Sequence, residues 1–170
     1  MAKRGQIWVE TVIYTLIAFI MIGLVLTFAI PKIQEIRDEI LIEQSIEILD
    51  DINEVVREVE VPGNIRIVEL NLKKGTLNID GENDLIYFEI ESAKQYSEYG
   101  ANISQGNIII NTESFNSISL VTLTSNYTGS YDITFDGADE LKTISEASTI
   151  YNLKISNKGG DLINLDFTLN

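Results

Sequence analysis

From Ile7 to Ile30 the chain runs through 24 residues with one ionisable side chain, Glu10. As a helix rising about 1.5 Å per residue, this run is long enough for a hydrocarbon core of about 30 Å. Pro31 follows and lacks the N–H of a helical bond, so the spacing predicts a kink or a fresh helical start there. Beyond it, Ile33, Ile36, Ile40, Ile48, Leu49, Ile52, Val55, Val56 and Val59 recur at three- and four-residue steps. Acidic residues from Glu35 and Asp38 to Glu58 mostly fill the other faces. This is an amphipathic helix that Pro62-Gly63 should stop. Its stripe has no sustained heptad, and Gln44 interrupts it, so the expected partner is the chain's own sheet.

From Asn64 the period changes to two. Residues 64–72 alternate almost perfectly, and Lys73-Lys74-Gly75 reads as the turn of a hairpin returning through residues 75–80. Further strands are expected at 84–91, 107–111, 117–124, 130–135, 149–156 and 162–169, the last two as a terminal hairpin. Asp80-Gly81, Tyr99-Gly100, Asp136-Gly137 and Gly159-Gly160 punctuate them, and a short helix is expected around 92–99. About eight strands predict an antiparallel β-sandwich head over 64–170. The fold class is therefore α+β: a long N-terminal transmembrane/amphipathic helix followed by that head.

Composition narrows the chemistry. Twelve basic residues against 26 acidic ones set the net charge at −14, which repels nucleic-acid phosphates, so no nucleic-acid partner is expected. Without Cys there is no disulfide framework and no thiolate nucleophile; without His there is no zinc site of the usual kind and no imidazole base. Asp80-Gly81-Glu82-Asn83-Asp84 and Asp136-Gly137-Ala138-Asp139-Glu140 gather oxygen ligands on turns, but neither completes an EF-hand loop, and both read as solvated turns. Nothing marks a pair of carboxylates sharing a pocket. The chain is therefore read as a non-enzyme, with no catalytic residues, metal ligands or cofactors.

The N-terminal run differs from a secretory signal, whose apolar region covers only about 7–15 residues. A short basic end, Met1-Ala2-Lys3-Arg4-Gly5, precedes it and should stay cytoplasmic, leaving the bulk of the chain outside. Glu10 is costly within such a run unless it lies at the interface or meets a positive partner. Lys3-Arg4-Gly5-Gln6-Ile7-Trp8-Val9-Glu10 followed by an apolar helix resembles the class III signal peptide of archaeal type IV prepilins, the pilin and archaellin superfamily. The resemblance implies a cut by prepilin peptidase between Gly5 and Gln6, so that residues 1–5 form a leader. The long helix is then 6–61, with 6–30 the membrane and filament-core part and 32–61 the amphipathic part. It also implies that the new ammonium of Gln6 pairs with Glu10 of a neighbouring subunit and fixes their register.

Loss of Lys3 and Arg4 with the leader would take the net charge from −14 to −16. Asn102-Ile103-Ser104 and Asn126-Tyr127-Thr128 match the N-glycosylation acceptor pattern on an outward-facing head, which makes Asn102 and Asn126 candidate sites. Two functions follow from this reading. One is a pilin, possibly a minor one, in an archaeal filament for adhesion or motility, held in the cell membrane until it joins other pilin subunits at the cell surface. The other is a permanently anchored accessory β-sandwich, such as an archaellum stator or a surface binding module, that never polymerises.

Overall fold

A computed structural model describes residues 2–116 and 118–169, with side chains from Trp8 onward. One helix, α1 (Ala2–Glu58), precedes ten strands: β1 (Ile65–Leu70), β2 (Thr76–Asp80), β3 (Leu85–Ser92), β4 (Asn102–Gln105), β5 (Ile108–Phe115), β6 (Ile118–Asn126), β7 (Tyr131–Phe135), β8 (Leu141–Ser145), β9 (Tyr151–Gly159) and β10 (Ile163–Leu169). The chain divides into two compact units, residues 1–37 and 38–170. The second unit holds the part of α1 from Asp38 onward together with two sheets.

α1 passes through Pro31 without ending, so no fresh helix starts there. Its buried residues begin later than the apolar pattern suggests. Ile33, Ile36 and Ile40 are exposed, whereas Ile42, Ile46, Leu49, Ile52, Val56 and Val59 are buried in the core. Asp38, assigned by pattern to a solvent face, is buried instead. With Ser45, the buried positions 38, 42, 45, 49, 52, 56 and 59 alternate steps of four and three, the spacing of a packed helical seam. Small or polar side chains at 38 and 45 hide this seam from an apolar count.

The sheets order as β1-β9-β10-β7 and β4-β5-β6-β3-β2-β8. The β9–β10 hairpin forms, with a bulge at Asn164/Leu165. Three local expectations fail. β1 pairs with β9 rather than β2, and β2 lies between β3 and β8 in the other sheet. β7 and β10 run parallel, so the first sheet is mixed. Residues 93–98 form bends and irregular chain and Tyr99 makes a β-bridge to Thr112, with no helix.

The fate of the expected first hairpin has a physical cause. Leu77, Asn78 and Ile79 are buried in succession, which requires cover on both faces, as an interior strand has. Residues 71–75 can reach about 16 Å, enough to step between sheets about 10 Å apart. Leu72 is buried along the way. Gly75 closes the step at φ +82°, where a Cβ would lie 2.4 Å from the Glu89 carbonyl oxygen, so only glycine fits. Strands β4 and β8 escape the sequence pattern because β4 is exposed throughout and β8 buries only Ile144.

One apolar cluster joins the buried face of α1 to both sheets, through Phe88, Leu123 and Ile79 on one side and Leu153, Ile155 and Phe167 on the other. Polar bonds pin the helix at three levels. At the top, Asp38 accepts from Lys74 Nζ at 2.6 Å and from the Ala93 amide at 2.7 Å. In the middle, buried Asn53 donates to Ser125 Oγ at 2.9 Å and accepts from the Tyr127 hydroxyl at 2.5 Å. At the end, Asn157 Nδ2 donates to the Val59 carbonyl at 2.7 Å, while its backbone bonds Gly63 and Asn64. The Val59 carbonyl, just past the last helical residue, is thus met from the terminal hairpin.

Burial pushes the Tyr127 hydroxyl well above its ordinary pKa near 10. The folded state therefore keeps a proton that the unfolded chain releases. This contribution to stability is complete below about pH 10 and is lost as pH rises above it. Tyr127→Phe should flatten part of the alkaline fall in stability, at a cost of about 1–3 kcal/mol at neutral pH from Asn53 left short of a partner. Urea titrations of both proteins at pH 7 and pH 10.5 check this; parallel pH dependences would refute it.

Candidate assembly surface

The first unit presents the most distinctive chemistry. From Trp8 to Arg37 no side chain is buried, and only Ala29 and Glu35 are even half-buried. Large apolar side chains, from Trp8 at 70% exposure to Phe28 at 76%, surround this part of α1 on every side. The helix is long and apolar enough to cross a membrane. An apolar surface of this extent needs lipid or protein around it.

Its few polar groups are handled locally. Thr15 Oγ1 donates to the Thr11 carbonyl at 2.6 Å, and Thr27 Oγ1 to the Gly23 carbonyl at 2.9 Å. These back-bonds shield hydroxyls that would otherwise face an apolar medium. Glu10 cannot be shielded in this way. It stands exposed near the start of the run, on the same helix as the apolar side chains. Gly5 and Gln6, the expected cleavage pair, lie outside the residues whose side chains are described. Lys32 pairs with Glu35 at 2.8 Å just past the apolar run.

The other candidate positions sit on the head. Asn102 lies on β4, the outermost strand of the six-stranded sheet, and Asn126 ends β6; both are exposed. Asn102 Oδ1 accepts from Asn111 Nδ2 at 2.9 Å, and Asn126 Oδ1 from the Thr128 amide at 2.9 Å. In the second sequon Tyr127 is core, and the Thr128 hydroxyl is committed to the Asn83 carbonyl at 2.9 Å.

Carboxylates hold both acidic turns, the first by its own Asp80 and Asp84 and the second by Asp166 of β10. Asp80 accepts from the Asn83 amide and side chain, and Asp84, at φ 56°, accepts from the Ile133 amide at 2.9 Å. The Asp136-Gly137 turn is held by Asp166, which accepts the Gly137 amide at 2.8 Å. Among the described residues no group of three or more carboxylates is placed to hold a metal ion. Within the head, Asn102 and Asn126 stand on different strands, β4 and β6, with β5 between them.

The residues that organise the molecule instead include Asp38, Asn53 and Asn157. A buried-seam spacing of four and three could have found Asp38, whereas Asn53 lies beside that seam next to Ile52. No local pattern marks Asn157, whose role depends on a chain segment 98 residues away.

An apolar N-terminal helix whose C-terminal part sits in the core of a β-rich head is consistent with a type IV pilin-like architecture. The chain matches no protein-family model, no curated protein and no solved structure.

Proposed function

We propose that this chain is a structural subunit of an archaeal type IV pilus-like filament. The observation that carries the reading is a single unbroken helix with two environments: an apolar run with no buried side chain from Trp8 to Ile30, and a C-terminal part built into the head. The first part suits a bilayer before assembly and a packed stack of helices afterwards. Head-to-tail contacts that do not close generate such a filament.

Prepilin peptidase cuts between Gly5 and Gln6. The ammonium so released on Gln6 meets Glu10 of the next subunit in an apolar core, where the pair sets register more than it adds stability. The heads face outward and serve adhesion or motility, and glycans on Asn102 or Asn126 would shield that face. The helix tips stay in the membrane until a subunit is incorporated.

The test is N-terminal sequencing of the protein recovered from cell-surface filaments of its host. The expected first residue is Gln6. An intact Met1-Ala2-Lys3-Arg4-Gly5 leader, in protein that stays in the membrane fraction, would overturn the reading in favour of a permanent anchor.

A further inference from the structure

α1 and the edge strand β1 bound an open groove of about 510 Å³ on the head. Val55 and Ile67 supply its apolar surface, and Ile67 is 60% exposed although it belongs to a strand. Asp51, Glu54, Glu58 and Glu69 form its rim. Glu58 pairs with Arg66 at 3.4 Å. The remaining rim is strongly acidic: partial burial, then the neighbouring carboxylates Glu47 and Asp50, push Asp51 above the ordinary carboxylate range. Among the described residues β1 pairs only with β9, so its outer edge is open beside this groove.

A segment of complementary character lies in the first unit. Ile33 and Ile36 are both about half-exposed and share a helix face at a three-residue step. Arg37 stands one turn from Ile33, and Lys32, one turn from Ile36, is paired with Glu35 at 2.8 Å, so Arg37 carries the segment's net positive charge beside the apolar pair. The contrast extends beyond the groove: of the 26 acidic residues, only Glu10 and Glu35 precede Asp38.

We propose that the groove between α1 and β1 receives residues 32–37 of a second copy of this chain, Ile33 and Ile36 against Val55 and Ile67, and Arg37 against Asp51 and Glu54. The contact rests on the filament reading and adds a second register point to it, outside the apolar core. It also answers a problem that the filament poses. Subunits this acidic repel one another, and each contact sets a basic segment of one against an acidic rim of the next. Apolar matching supplies contact area, while charge matching selects register and disfavours like-charged juxtapositions.

Charge reversal tests it in the host strain. Arg37→Glu and the pair Asp51→Lys/Glu54→Lys should each lower the subunit recovered in filaments at least about tenfold, as like-charge juxtaposition at an interface does. All three changes together should restore most of it. Circular dichroism of each full-length variant in detergent checks that the head stays folded. Independently, the chain has no cysteine, so Arg37→Cys with Glu54→Cys should give disulfide-linked multimers in filaments under mild oxidation, and either change alone should not run beyond a dimer.

Reversal variants that polymerise like the wild type, or a combined variant that stays defective although folded, would overturn the contact. So would the absence of cross-linking beyond a dimer in intact filaments. A wild-type protein that never enters filaments, and keeps its leader, instead overturns the filament reading on which the contact rests.

Discussion

Glu10→Ala is expected to abolish incorporation into filaments while leaving the head folded. In the proposed filament core, the Gln6 ammonium of one subunit meets the Glu10 carboxylate of another. Removing one partner of such a buried pair costs about 3–5 kcal/mol, because the other charge stays desolvated and uncompensated. That is more than a hundredfold at each subunit contact, multiplied along a polymer. Replacing the charge with an amide, Glu10→Gln, should be milder, since the amide still offers an oxygen to the ammonium.

The measurement is the ratio of filament to membrane-fraction protein, with circular dichroism as the folding control. Glu10 lies in the unit that ends at Arg37, outside the core of the head, so the control should read as wild type. Wild-type filament yield in Glu10→Ala would remove the register role and leave Glu10 as an interfacial carboxylate.

The largest effect on stability is expected at the helix–sheet junction. Leu49 is fully buried in the seam of α1, within the cluster that reaches both sheets. Leu49→Ala removes three carbons from a site that several elements enclose, and should cost about 2–5 kcal/mol in urea unfolding of the head. A marginally stable domain holds only about 5–15 kcal/mol in total, so this could halve it. Ile33→Ala, on the same helix but exposed, should leave head unfolding unchanged. Equal midpoints for the two variants would show that the C-terminal part of α1 is not integral to the head.

Some of this architecture is legible residue by residue. The apolar run with its single carboxylate needs no tertiary context, because a helix in lipid satisfies its own backbone bonds and hydropathy alone selects it. The end of α1 is equally local: Pro62 and Gly63 follow it, and Gly63 takes φ 86°. The period-two runs that became β1, β3, β6 and β10 are local too, because alternation follows from the pleat.

The choice of partner is not local. Residues 64–80 satisfy every short-range rule for a hairpin, yet β1 crosses to β9, about 90 residues later, and β2 enters the other sheet. In the sequence Leu77, Asn78 and Ile79 alternate apolar and polar like a hairpin strand, and only the structure shows all three buried. The parallel β7–β10 pairing likewise depends on which edge stays open once β9 and β10 have folded together.

The candidate site divides along the same line. Glu10, the Gly5-Gln6 bond and the two sequons are chemical patterns within a few residues, and they are readable wherever the chain goes. The groove beside β1 exists only because β1 is an edge strand beside α1, a fact of topology. Asp38, Asn53 and Asn157 look like surface polar residues in the sequence. Tertiary packing buries them and gives each a partner from a distant segment. The amino-acid sequence by itself determined a long apolar helix, its lone carboxylate and a β-rich acidic head, because those depend on local periodicity and solvation. Only the tertiary structure decided where that helix becomes part of the head, which strands lie side by side and which polar groups hold them, because those depend on surfaces brought together from far apart in the chain.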